Sequence, residues 1–154
     1  MNLANSLLKI WGLEPKDLRH PNARPVEKYD EIQPGDHVAV VRRDSTVWHH
    51  AIYCGNNEWI EFSGPDKEQA TIAKIDTRYF FSKDDDIVVI DYPDGSYSSA
   101  ETIALATKLL DSTTEYNALL SNCECVATFC RCGRYVKFSD YPPVHTYRRP
   151  KTFK

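Results

Sequence analysis

Thr46-Val47-Trp48-His49-His50-Ala51-Ile52-Tyr53-Cys54, then Gly55-Asn56-Asn57, then Glu58-Trp59-Ile60-Glu61-Phe62, is the stretch that decides the fold. Two runs rich in β-branched and aromatic residues flank a Gly-Asn-Asn break, which is the pattern of a β-hairpin. Upstream, Pro34-Gly35-Asp36 is a turn that launches a strand over residues 37–42. Downstream, Gly64-Pro65-Asp66 interrupts the pattern, and further strands are expected at 71–75 and 86–91 before an Asp94-Gly95 turn. Ser98 and Glu101 then stand as a capping box ahead of Ile103, Ala106 and Leu110, which starts a helix. A second helix is expected over residues 123–132, with Gly133 as its stop. Strands come first and helices after, so the chain reads as an α+β domain: an antiparallel sheet of four to six strands with packed helices.

The flanks are less regular. Residues 2–11 read as a short helix with Leu3, Leu7, Ile10 and Trp11 on one side, ended by Gly12. Residues 13–36 hold Pro15, Pro21, Pro25 and Pro34 among charges and read as an irregular lead-in. The tail, with Pro142-Pro143 and Pro150, is not expected to form a regular element. The domain plan is thus a lead-in over 1–34, a core over 35–133 and a tail over 134–154.

A chain of 154 residues with 42% apolar and 27% charged side chains is one soluble globular domain, able to bury a core without disulfides. No apolar run approaches the roughly 20 residues of a membrane-spanning helix, and residues 1–12 lack the features of a signal peptide. The cysteine count is odd, five, and four of them crowd into Cys123, Cys125, Cys130 and Cys132. Free thiols in a cytoplasmic chain are therefore expected rather than a disulfide scaffold. From Arg131 to Lys154 seven basic residues face Asp140 alone, a charge of +6, which leaves −9 on the rest. An acidic body with a basic end suggests a surface for an anion.

Chemistry concentrates at Asn122-Cys123-Glu124, where a loop enters a helix. A cysteine there feels the positive end of the helix dipole, which favours the thiolate, and a nucleophilic thiolate needs a base, usually histidine. Against this stands the ordinary fate of a free cysteine, a small buried hydrophobe. His20 and His145 lie in proline-rich irregular stretches, and His37 opens a strand where half-exposure is expected. His49 and His50 lie within one strand and must point to opposite faces. A two-residue loop, Asn56-Asn57, sets Ile52 opposite Glu61 and puts His50 on the side of Glu61. A three-residue loop, Gly55-Asn56-Asn57, sets Ala51 opposite Glu61 and puts His49 there instead. Periodicity leaves both registers open. A carboxylate beside a histidine would fix its tautomer and hold the imidazolium. The cysteines do not read as a zinc site: Cys123-x-Cys125 and Cys130-x-Cys132 are spaced one residue apart, and a helix spreads them over two sides. No metal or cofactor is implied. The tail interleaves Tyr135, Phe138, Tyr141, Tyr147 and Phe153 with Arg148, Arg149 and Lys151, a composition that suits single-stranded nucleic acid or anionic lipid headgroups. The alternative is a tail packed against the acidic body.

Taken together, Pro34-Gly35-Asp36, His49-His50-Ala51-Ile52-Tyr53-Cys54-Gly55, Tyr116 ahead of Asn122-Cys123-Glu124, and Phe129-Cys130-Arg131-Cys132-Gly133 resemble the H-box/NC family. Its members include lecithin:retinol acyltransferase, the H-rev107-type phospholipase/acyltransferases and the H-box/NC non-structural proteins of some picornaviruses. The resemblance spans about residues 35–133 and implies a circularly permuted papain-like or NlpC-like thiol hydrolase fold. It also implies Cys123 as nucleophile and His49 as base, with His50 in place of a usual Trp. Tyr116 and Asn122 would lie near the oxyanion site. The family's second His aligns with Glu61, which selects the three-residue loop. Cys125 replaces the His that usually follows the Asn-Cys-Glu motif, and the basic, polar C-terminus replaces the hydrophobic anchor of cellular members.

The expected function is a thiol-dependent acyltransferase or acyl hydrolase of the phospholipase type, acting on an acyl ester or phospholipid through an acyl-cysteine. The alternative is a catalytically inactive member serving as a viral or host binding module for protein or RNA. In that case Arg148, Arg149 and Lys151 would carry the contact, with RNA, a host protein or an anionic membrane surface. Either way the expected location is the cytoplasm, peripheral at membranes, without a transmembrane anchor.

Overall fold

The computed structural model describes residues 8–16, 22–41, 48–63, 71–82, 85–93, 95–111 and 123–134. Among them are six strands: β1 (Asn22–Pro25), β2 (His37–Val41), β3 (Trp48–Gly55), β4 (Glu58–Ser63), β5 (Thr71–Asp76) and β6 (Asp86–Asp91). They form one sheet in the order β1-β6-β2-β3-β4-β5, antiparallel at every pairing. The described helices are α1 (Thr77–Phe80), α2 (Ser99–Asp111) and α3 (Cys123–Cys132), with a 3-10 turn at Tyr29–Glu31 and helical residues at 8–10. The class is α+β, and no described helix is long and apolar enough to cross a membrane. Most of the expected N-terminal helix, and all of the tail beyond residue 134, lie outside the described residues.

Two elements differ from the expectation. The lead-in supplies β1, which pairs with β6 from Asn22↔Asp91 to Pro25↔Val88. A residue before proline is confined to extended backbone, and an edge strand tolerates a proline that cannot donate. Pro25, in a stretch that read as irregular, is thus compatible with a strand at the sheet margin. The second difference is α1, four residues long and too short to show a helical period. It starts because Asp76, the last residue of β5, accepts a hydrogen bond from the Arg78 N–H at 3.0 Å.

Both sheet faces are covered. On one, Ile52, Ile60, Phe62 and Ile72 pack against Leu105 and Leu109 of α2 and Val126 and Phe129 of α3. On the other, Val38, Val40, Ala51, Tyr53, Trp59, Ile87 and Val89 enclose Phe80. That is why Ile87-Val88-Val89-Ile90 of β6 is continuously apolar and continuously buried. Phe80 stacks on Trp59 with ring centroids 4.4 Å apart, so the unexpected helix exists to deliver one core side chain. The expected capping box of α2 is present in both directions: Ser98 Oγ accepts from Glu101 N at 3.1 Å, and Glu101 Oε1 accepts from Ser98 N at 3.0 Å.

The hairpin fixes the site. Asn56 and Asn57 both adopt positive φ, 53° and 62°, which makes a two-residue turn of the type that suits twisted strands. Gly55 pairs with Glu58, yet the next pair is Tyr53↔Trp59, so Cys54 is the extra residue of a β-bulge. The short loop and the bulge together give Ala51↔Glu61, the register of a three-residue loop. At the same end of β3, Gly35 donates to Tyr53 O at 2.7 Å, and a Cβ added to Gly35 would lie 2.8 Å from the Ser99 Cα. With φ of +92°, this position takes glycine for both reasons.

Candidate functional site

Cys123 is the first residue of α3, and the packing of Val126, Phe129 and Cys130 against the sheet holds that helix in place. The β3–β4 ladder ends at Ala51↔Glu61, whereas β3 runs on to Trp48 still paired with β2. The thiol lies against this extension. Its sulfur accepts from the His50 backbone N–H at 3.4 Å, and the thiol points to Trp48 O at 4.0 Å. The start of the helix is thereby tied to the strand that carries both histidines.

His49 joins the pieces. Its Nε2 is hydrogen-bonded to Glu61 Oε2, and Cys123 lies near enough to favour a charge on its ring. Burial alone would discourage a charge on this ring, but the hydrogen bonds and charges of Cys123 and Glu61 outweigh it and raise His49 to about 9. The imidazole is therefore protonated at neutral pH. Glu61 is itself buried, and the bulged register sets it opposite Ala51, on the side of His49.

The other thiols differ from Cys123 in setting. Cys125, Cys130 and Cys132 are buried, and burial pushes Cys132 and the half-buried Cys54 up to about 11 and Cys130 higher still. Cys54, Cys130 and Cys132 remain protonated at neutral pH, and the buried cysteines pack as small apolar groups. Among the described residues no group of three His, Cys, Asp or Glu side chains converges as metal ligands.

On the opposite face of β3 the structure adds a network that sequence reading missed. His50 Nδ1 lies 2.7 Å from His37 Nε2, and His37 Nδ1 lies 2.6 Å from the Tyr92 hydroxyl. His50 Nε2 lies 3.5 Å from Glu124 Oε2, in the first turn of α3. His37 is fully buried rather than half-exposed, because β2 is interior to the sheet, between β6 and β3. Burial is the main reason both rings stay neutral: it holds His37 well below its ordinary range and pushes His50 down to about 3. The signal that could have found the pair is the β2–β3 register, in which His37 and His50 are diagonal neighbours on one face.

The structure thus brings together Cys123, His49 and Glu61. Tyr116, Asn122, Arg148, Arg149 and Lys151 lie outside the described residues. No curated protein matches the chain. The family model of lecithin retinol acyltransferase matches residues 30–136, more than half of the chain and all of the site just described. The chain belongs to the lecithin retinol acyltransferase family.

Proposed function

We propose that the protein is a thiol-dependent acyltransferase or acyl hydrolase, acting on an acyl ester such as a phospholipid. The observation that carries this reading is that one half-buried imidazole is hydrogen-bonded to a buried carboxylate and interacts with a thiol at a helix start. His49 is the group that holds the proton the nucleophile must shed. The Cys123 sulfur attacks the ester carbonyl, and the tetrahedral intermediate collapses as the imidazolium protonates the departing alcohol oxygen. The product of this half-reaction is an acyl-thioester on Cys123. Neutral His49 then takes a proton from water, or from an acceptor amine or hydroxyl, as that group attacks the thioester. The acyl group leaves, and Cys123 and His49 return to their starting state.

Glu61 acts on His49 by fixing its tautomer and stabilising its charge in both half-reactions. Backbone donors at the start of α3, with Tyr116 and Asn122 as the sequence suggests, would hold the oxyanion. The same parts in this order fit a permuted papain-like arrangement acting at a membrane surface.

Intact-mass spectrometry after mixing with a short-chain phospholipid or an activated ester tests the proposal. An acyl adduct on Cys123, absent in Cys123→Ala, is the expected result. No adduct and no turnover over a panel of esters would overturn it and leave a binding protein on the same fold.

A further inference from the structure

The buried chain behind the site has one consistent direction. Glu124 as a carboxylate can only accept, and its Oε2, 3.5 Å from His50 Nε2, favours the tautomer with the His50 proton on Nε2. A neutral His50 then has a bare Nδ1, which accepts from His37 Nε2–H at 2.7 Å. A neutral His37 in turn has a bare Nδ1, which accepts from the Tyr92 hydroxyl at 2.6 Å. Both tautomers follow from the neutral state of the rings and from the acceptor at the end. Arg131 stands over the Tyr92 ring at 5.3 Å, and its charge, with that of His49 beside His50, further disfavours a proton on this pair.

The chain starts just past β6, crosses β2 and β3, and ends on α3. His50 therefore grips α3 at two successive residues, with its backbone N–H on Cys123 Sγ and its ring on Glu124. We propose that Tyr92, His37, His50 and Glu124 form a hydrogen-bonded strut that positions the nucleophile, holding the first turn of α3 so that Cys123 stays on His49. His50, on the face turned away from His49, is a positioning residue for the reaction and not a base. The inference rests on the reading of Cys123 as the nucleophile. Ordering of this kind is what a supporting shell of hydrogen bonds provides, and small displacements of a reacting atom have large effects on rate.

Two measurements test it. Iodoacetamide alkylation of Cys123, followed by mass spectrometry, is run on the wild type, His37→Leu, Glu124→Leu and the double variant. His37 and Glu124 are connected through His50, so each single change should slow alkylation by about tenfold and the double change by no more. Multiplying losses, or single variants as fast as wild type, would overturn the strut. Should His37→Leu fail to fold, nitrogen-resolved NMR of the wild type and Glu124→Gln decides. Both buried rings should be neutral and protonated on Nε2 from about pH 5 to 8, and Glu124→Gln should perturb His50 before His37. An Nδ1–H tautomer on either ring would overturn the proposal. A wild-type Cys123 no faster than an exposed thiol would instead defeat the nucleophile reading and leave the tautomers standing, so the two failures are separable.

Discussion

Replacing Glu61 by glutamine keeps the shape of the site and removes a buried charge beside His49. His49 is raised from 6.5 to about 9. At about 1.4 kcal/mol per pH unit, that rise is worth about 3 kcal/mol in favour of the imidazolium, net of the burial that opposes it. Because the folded value lies above the unfolded one, this stability is fully present below pH 6.5 and is lost as pH rises through about 9. Loss of an adjacent opposite charge lowers a histidine by about one to two pH units, while the burial penalty remains. The Glu61→Gln protein should therefore titrate His49 between about 7 and 8 and lose about 40–80% of the extra pH-dependent stability. The assay is histidine NMR titration with urea unfolding at intervals from pH 6 to 10, wild type against variant, so that lysine and tyrosine titrations cancel. A wild-type midpoint near 6.5, or identical slopes in the two proteins, would refute the reasoning.

Other expectations concern the scaffold. Phe129→Ala removes a fully buried ring between α3 and the sheet and should cost about 3–5 kcal/mol, measured by denaturant unfolding. Ser98→Ala removes one half of the α2 capping box and should lower stability by about 1 kcal/mol while leaving Cys123 alkylation unchanged. Asn57→Val puts a β-branched residue at a φ of 62° and should cost at least about 1–2 kcal/mol in thermal melting. Should the turn relax and release the bulge, Cys123 alkylation in that variant should lose its dependence on His49.

The sequence was most legible where local chemistry and long-range packing demand the same thing. Cys123–Cys132 is a helix with the expected bounds because Gly133, at a φ of 79°, ends it and one face is apolar. The capping box of α2 was readable because both partners lie within four residues. The hairpin was half legible. Its loop is the two-residue form, but its register is the three-residue one, since a bulge at Cys54 leaves no mark in composition or period. β1 was hidden because a lone edge strand of Asn-Ala-Arg-Pro carries no apolar alternation and acquires its structure from β6. The burial of His37 was hidden for the same reason: it depends on which strands flank β2, a fact about topology. The resemblance, more than the residues, singled out His49 over His50.

Side chains on a strand are odd or even, and the hairpin settles which histidine is which by counting. On a regular ladder around Asn56-Asn57, Cys54 would face Trp59 and Ile52 would face Glu61, so the even residue, His50, would share the carboxylate's side. Cys54 is the one uncounted residue that changes the parity and gives the carboxylate to His49. It follows that deleting Cys54 should be milder than inserting a residue beside it. The deletion leaves Ala51 opposite Glu61 on an unbulged ladder, whereas an insertion between Ile52 and Tyr53 exchanges the two imidazoles. The neighbouring histidines of this sequence are chemically equal, and a single residue of arithmetic assigns them different work.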